Sequence, residues 1–140
     1  MKQTYVFDTS AILTLLDNEA GSDKVLELLH LALDNKIEIF VSIVTIVELR
    51  YRFLRQKDTN FADQKINELY AMPINIVDFN KTLVNQTALY KSTGKMSFAD
   101  ACIASTTKQL NAILVHKDPE YVSIIQDIKQ LILPFKPKKH

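Results

Sequence analysis

Thr4-Tyr5-Val6-Phe7-Asp8-Thr9-Ser10-Ala11-Ile12-Leu13 joins a short β-branched and aromatic run to a helical one through three polar residues. A run this short and this continuously apolar suits a strand covered on both faces, and Asp, Thr and Ser are the side chains that cap the start of a helix. Similar units follow along the chain. Strands are expected at residues 4–7, 37–42, 74–77, 112–115 and, more weakly, 129–133. Helices are expected at 11–16, 23–33, 44–56, 60–70, 80–92, 97–110 and 119–125. Strands alternating with helices predict a three-layer α/β/α fold around a parallel sheet of four to five short strands. Gly21 and Gly94, the two glycines, fall between predicted helices, where a turn or left-handed cap would use them.

The composition narrows the function. With 140 residues, 47% of them hydrophobic, the chain can bury a core without disulfide or metal staples. We expect one domain over residues 1–133 and a frayed basic, proline-rich tail over 134–140. Lys and Arg number 17 against 16 Asp and Glu, a net charge of +1, which excludes a polybasic nucleic-acid binder and leaves only local patches for such contacts. The single cysteine, Cys102, lies in an apolar helical run and reads as a buried, inert thiol. No apolar run approaches the roughly 18 residues of a membrane span, and the chain reads as cytoplasmic.

Four acids interrupt apolar segments: Asp8 after the first strand, Glu48 and Asp100 within helices, and Asp118 beyond the fourth strand. A carboxylate taken out of water without a partner costs several kcal/mol, roughly, and no basic residue is built into all four segments. Brought together, such acids suit a hard divalent cation, Mg2+ or Mn2+, and hence phosphate-ester chemistry. Each also has a plain structural role open to it. Asp8 can cap a helix, Glu48 can pair with Arg52 one turn on, Ser97 and Asp100 can form a capping box, and Asp118-Pro119 is ordinary turn chemistry. Position favours function for Asp8, since ligands of open α/β sheets gather at the carboxyl ends of strands. Glu48 reads as inward-facing because Val44, Val47 and Tyr51 share its helical neighbourhood. The expected geometry has Asp8, Glu48 and Asp100 converging on one pocket, with Asp118 at its rim.

These motifs, Val6 to Leu13, Ser42 to Leu49, Ser97 to Ser105 and Leu114 to Tyr121, together resemble those of the PIN-domain ribonucleases, most closely the VapC-type toxins. The resemblance implies that Asp8, Glu48, Asp100 and Asp118 bind Mg2+ or Mn2+ and cut RNA, with Thr9 or Ser10 supplying a supporting hydroxyl and Ser97 supporting Asp100. It further implies a homodimer and a small antitoxin partner. Two departures stand out. His116 sits where the family commonly has Thr, and Tyr121 where Phe is frequent, so Glu120 is a second candidate for the role of Asp118. Substrate grip is expected from Arg50, Arg52, Arg55 and Lys57 after the second motif and from Lys91 and Lys95 before the third.

Rival classes fit less well. A phosphoryl-accepting receiver domain needs an acidic neighbour beside Asp8, and a haloacid-dehalogenase-like phosphatase needs an Asp where Ser10 stands. A non-catalytic PIN-like module that binds RNA or protein remains the alternative.

Overall fold

A computed structural model describes residues 2–137. Five strands, β1 (Gln3–Phe7), β2 (Ile37–Ser42), β3 (Asn75–Val77), β4 (Ile113–His116) and β5 (Lys129–Ile132), form an all-parallel sheet in the order β3-β2-β1-β4-β5. Helices α1 (Thr9–Leu16), α2 (Ser22–Leu33), α3 (Ile43–Gln56), α4 (Thr59–Tyr70), α5 (Val84–Ser92) and α6 (Phe98–Gln109) complete the three layers. None is long and apolar enough to cross a membrane.

The pleat of the central strands divides the core. Phe7 and Val115 face one layer with Ala11, Val25, Leu28 and Leu49, whereas Val6 and Leu114 face the other with Ala101, Ile103, Ala104 and Tyr121. Both faces of β1 and β4 are therefore covered, and their sequences carry no polar alternation for that reason. Helix α6 is buried from Asp100 to Thr107. Its hydroxyl residues fit an apolar setting because Ser105, Thr106 and Thr107 donate back to the carbonyls of Ala101, Cys102 and Ile103 at 2.8–2.9 Å. Cys102 is buried, and desolvation pushes its thiol up to about 11, as an inert role requires.

Two expected helices take a different form. Residues 80–92 begin as a 3₁₀ turn at Lys81–Leu83 before α5, and the segment after Asp118 is a 3₁₀ turn at Pro119–Ile124. Asn80 and Asp118 cap these turns with their side chains just as they would cap an α-helix, so the sequence signature is the same. The structure describes the expected tail as far as residue 137. Lys136 pairs with Glu19 at 2.8 Å, and the turn at Gly21, φ +100°, packs so closely on Leu133 and Pro134 that a Cβ there would lie 3.1 Å from Pro134 Cδ. Residues 138–140 of that tail lie outside the described residues.

The chain leaves β1 for β2 on one side, and β4 docks on the other. The carboxyl ends of β1 and β4 thus form the switch point at which open α/β sheets collect their ligands.

Candidate active site

Asp8 follows β1 directly and is 2% exposed. It caps α1, with Oδ2 accepting from the Ser10 amide at 3.0 Å and the Ser10 hydroxyl at 2.5 Å. Ser10 Oγ in turn accepts from the Lys117 amide at 2.8 Å, and the Asp8 amide donates to Val115 O at 3.0 Å, so the ends of β1 and β4 are stitched together at this residue. Capping and site membership coexist. Asp8 Oδ1 accepts from the Tyr121 hydroxyl at 2.6 Å, and that hydroxyl lies 3.1 Å from Asp100 Oδ1.

Asp100 sits in the first turn of α6 and is 7% exposed. Ser97 Oγ accepts from its amide at 3.1 Å, the first arm of a capping box. The second arm comes from elsewhere: the Ser97 amide donates to Glu120 Oε1 at 2.7 Å. The Asp100 carboxylate is thereby left to face the other acids. Ligand oxygens of Asp100, Asp118 and Glu120 all lie within 4.8 Å of one another. Asp118, expected at the rim, belongs to the tightest part of the cluster, and Glu120 joins it.

Glu48 is half-buried on α3, where Oε1 accepts from Thr9 Oγ1 at 2.6 Å, and Thr9 also touches Thr45 Oγ1 at 3.1 Å. Its inward aim is as expected, but the neighbours are not. Val47 and Tyr51 are 59% and 40% exposed, and the buried stripe of α3 is Thr45, Ile46, Leu49 and Phe53. Arg52 makes no ion pair with Glu48 among the described residues, although its charge favours the ionised Glu48.

Electrostatics set these acids apart. Burial raises the pKa of Asp8 against the pull of Ser10 and Tyr121. Burial, then the charges of Asp8 and Asp118, raises that of Glu48. Asp100 is pushed up to about 10, first by desolvation, then by the hydrogen bond with Asp118 and the charge of Asp8. None of the five acids has a Lys or Arg ion-pair partner among the described residues. Hard carboxylate oxygens at this spacing, each disfavouring its neighbour's charge, are the donor set that suits a divalent cation.

Sequence comparison then decides the family: the PIN domain matches residues 5–125. The chain belongs to the PIN-domain family. Its fold is similar to those of several solved structures. VapBC2 from Rickettsia felis, bound to a DNA fragment from its promoter, matches with a TM-score of 0.76 and 19% identity over 94% of this chain and 100% of that one. DNA-bound VapBC from Salmonella typhimurium gives 0.71 and 14% over 94% and 98%. VapBC-1 from nontypeable Haemophilus influenzae gives 0.72 and 18% over 93% and 98%. No protein of curated function matches the sequence.

Within this PIN domain the cationic residues separate. Arg50 is engaged by Asp63 at 2.7 Å, Arg55 lies over the Tyr51 ring, Lys57 lies over Phe61, and Lys91 donates to Met96 O. Lys95 is exposed beside the loop that precedes α6. Arg52 alone of the expected set lines a cavity with Ser10, Lys117 and Asp118. Lys117 itself is 8% exposed and committed to Ala20 O at 2.7 Å and Glu19 at 3.5 Å.

Three contributors escaped sequence reading. Tyr121 and His116 are fully buried, and their rings meet edge to face at 4.8 Å. His116 Nδ1 accepts from the Asp118 amide, so Nε2 carries the proton and donates to Gln130 Oε1 at 2.8 Å, while Gln130 Nε2 donates to Tyr121 O at 2.8 Å. The one legible cue was that His and Tyr replace the family's usual Thr and Phe around Asp118.

Proposed function

We propose that this PIN domain is a divalent-metal-dependent endoribonuclease acting as the toxin of a VapC-type toxin–antitoxin pair in the cytoplasm. The observation that carries the reading is the group of five carboxylates, Asp8, Glu48, Asp100, Asp118 and Glu120, gathered at the sheet's switch point with no ion-pair partner among the described residues. Asp100, Asp118 and Glu120, supported by Asp8 and Glu48, would hold Mg2+ or Mn2+. A bound ion of this kind polarises a scissile phosphate and lowers the pKa of its water.

The chain's own residues supply the rest. Ser10 and Tyr121 fix both oxygens of Asp8, and Thr9 fixes Glu48, so these acids need no reorganisation. Glu48, its pKa raised and only half-buried, is suited to hold a proton at Oε2, the oxygen that Thr9 leaves free. Arg52 and Lys95 offer charge to the RNA backbone on either side. RNA as substrate follows from the resemblance to PIN-domain ribonucleases. A small antitoxin and a homodimer follow from the resemblance to VapC toxins, and the similar solved structures of VapBC and of a toxin–antitoxin complex support the antitoxin.

The test is cleavage of single-stranded RNA, structured RNA and matched duplex DNA by the purified chain in Mg2+, Mn2+ or chelator, beside Asp8→Ala and Asp100→Asn. Cleavage of RNA that needs the ion and both acids is expected. Cutting that survives Asp8→Ala, or equal cutting of duplex DNA, overturns the nuclease reading. A chain that binds RNA but never cuts it is the non-catalytic alternative.

A further inference from the structure

We propose that Tyr121 is a positioning residue that transfers the fixed placement of Asp8 to Asp100 and so selects a small, strictly octahedral ion; this rests on the metal-dependent reading above. Asp8 is anchored independently, by the Ser10 amide and hydroxyl on Oδ2. Asp100 is not. Among the described residues, the one hydroxyl within hydrogen-bond reach of its carboxylate is that of Tyr121, whose single proton is shared between Asp8 Oδ1 at 2.6 Å and Asp100 Oδ1 at 3.1 Å. Its other close neighbours, Asp118 and Glu120, are themselves acids and would be ligands of the same ion rather than supports for Asp100.

The tyrosine can transmit position because it cannot move. Its ring is fully buried against His116. Its carbonyl is held by Gln130 on β5, and Gln130 is aligned by His116, whose tautomer is set by the Asp118 amide. A frame thus runs from β4 through β5 to the tyrosine hydroxyl and ends on the Asp100 carboxylate. A phenylalanine at this place would keep the packing and lose the last link.

The chemical consequence lies in ion choice. Mg2+ demands near-ideal octahedral geometry at short distances, whereas Ca2+ accepts a variable number of oxygens in flexible arrangements. A carboxylate held in one orientation favours Mg2+; one free to rotate loses that advantage without losing Ca2+.

Isothermal titration of the full chain with MgCl2 and, separately, CaCl2 tests this on wild type and Tyr121→Phe. The variant should bind Mg2+ about tenfold more weakly, the scale at which supporting partners act on metal ligands, and Ca2+ within about twofold of wild type. Unchanged Mg2+ binding, or equal weakening for both ions, overturns the proposal while leaving the metal-dependent reading intact. A wild type that binds neither ion overturns both. Should Tyr121→Phe fail to fold, Gln130→Leu, which releases the Tyr121 carbonyl, replaces it. The same Mg2+-specific weakening is expected there, and its absence counts against the proposal.

Discussion

Replacing Asp100 with Asn should stabilise the metal-free protein at neutral and alkaline pH and flatten its pH dependence. The fold holds the Asp100 proton up to about 10 against an ordinary value of 3.8, chiefly because burial disfavours the charge. Between those values the native state keeps a proton that the unfolded chain has released. Stability is therefore fullest below about pH 4 and is lost as pH rises toward the folded value, by at most about 1.4 kcal/mol per pH unit for one proton. Glu120 is exposed and Asp118 half-exposed, so water screens one side of the cluster. Halving the slope for that screening leaves about 2 kcal/mol between about pH 5 and pH 8. Asn keeps the shape, accepts from Tyr121 and offers donors to the neighbouring acids, so the variant lacks this pH-dependent loss. At about pH 8 the variant should melt roughly 6 °C above wild type in chelator. Saturating Mg2+ should reverse the order, adding about 2.7 kcal/mol to wild type alone at a hundredfold excess over Kd. Urea or thermal melts of both proteins across this range check it. Parallel pH profiles in chelator, or a wild type that gains stability with rising pH relative to the variant, would refute the reasoning.

Arg52→Ala should raise KM for RNA cleavage, whereas Arg50→Ala, which loses only the exposed pair with Asp63, should leave cleavage unchanged and cost under about 1 kcal/mol in a denaturant melt. Thr9→Val removes the hydroxyl that holds Glu48, and melts should show a loss of about 1–2 kcal/mol while cleavage assays show lost turnover. Glu120→Gln can still accept from the Ser97 amide, so calorimetric titration should find weakened Mg2+ binding with little change in melting; unaltered ion affinity would mark Glu120 as a cap alone.

The sheet was legible because its strands are short and covered on both faces, which writes them as apolar runs between capped helices. The sequence misleads where local chemistry is shared: Asn80 and Asp118 cap 3₁₀ turns with the side chains they would use on α-helices. Asp8 and Asp100 stood out as acids in apolar company. Glu48 was placed correctly through the wrong companions, since Thr45 faces inward despite its hydroxyl and Val47 outward despite its methyls. Tyr121 was illegible as a site residue because its contacts span 113 and 21 positions of chain, a separation that no local pattern encodes.

The strand order carries a temporal consequence. Because β1 is central and β4 joins it from the far end of the sequence, a chain emerging from the ribosome completes β1, β2 and β3 while holding only Asp8 and Glu48 of the five acids. Asp100, Asp118, Glu120 and the tyrosine that links them arrive together, with the final third of the chain. A chain that ends before residue 100 therefore lacks three of the five acids. On the proposed reading, cleavage of RNA begins only after synthesis has all but finished, so the ribosome making the protein would not meet a working copy until then.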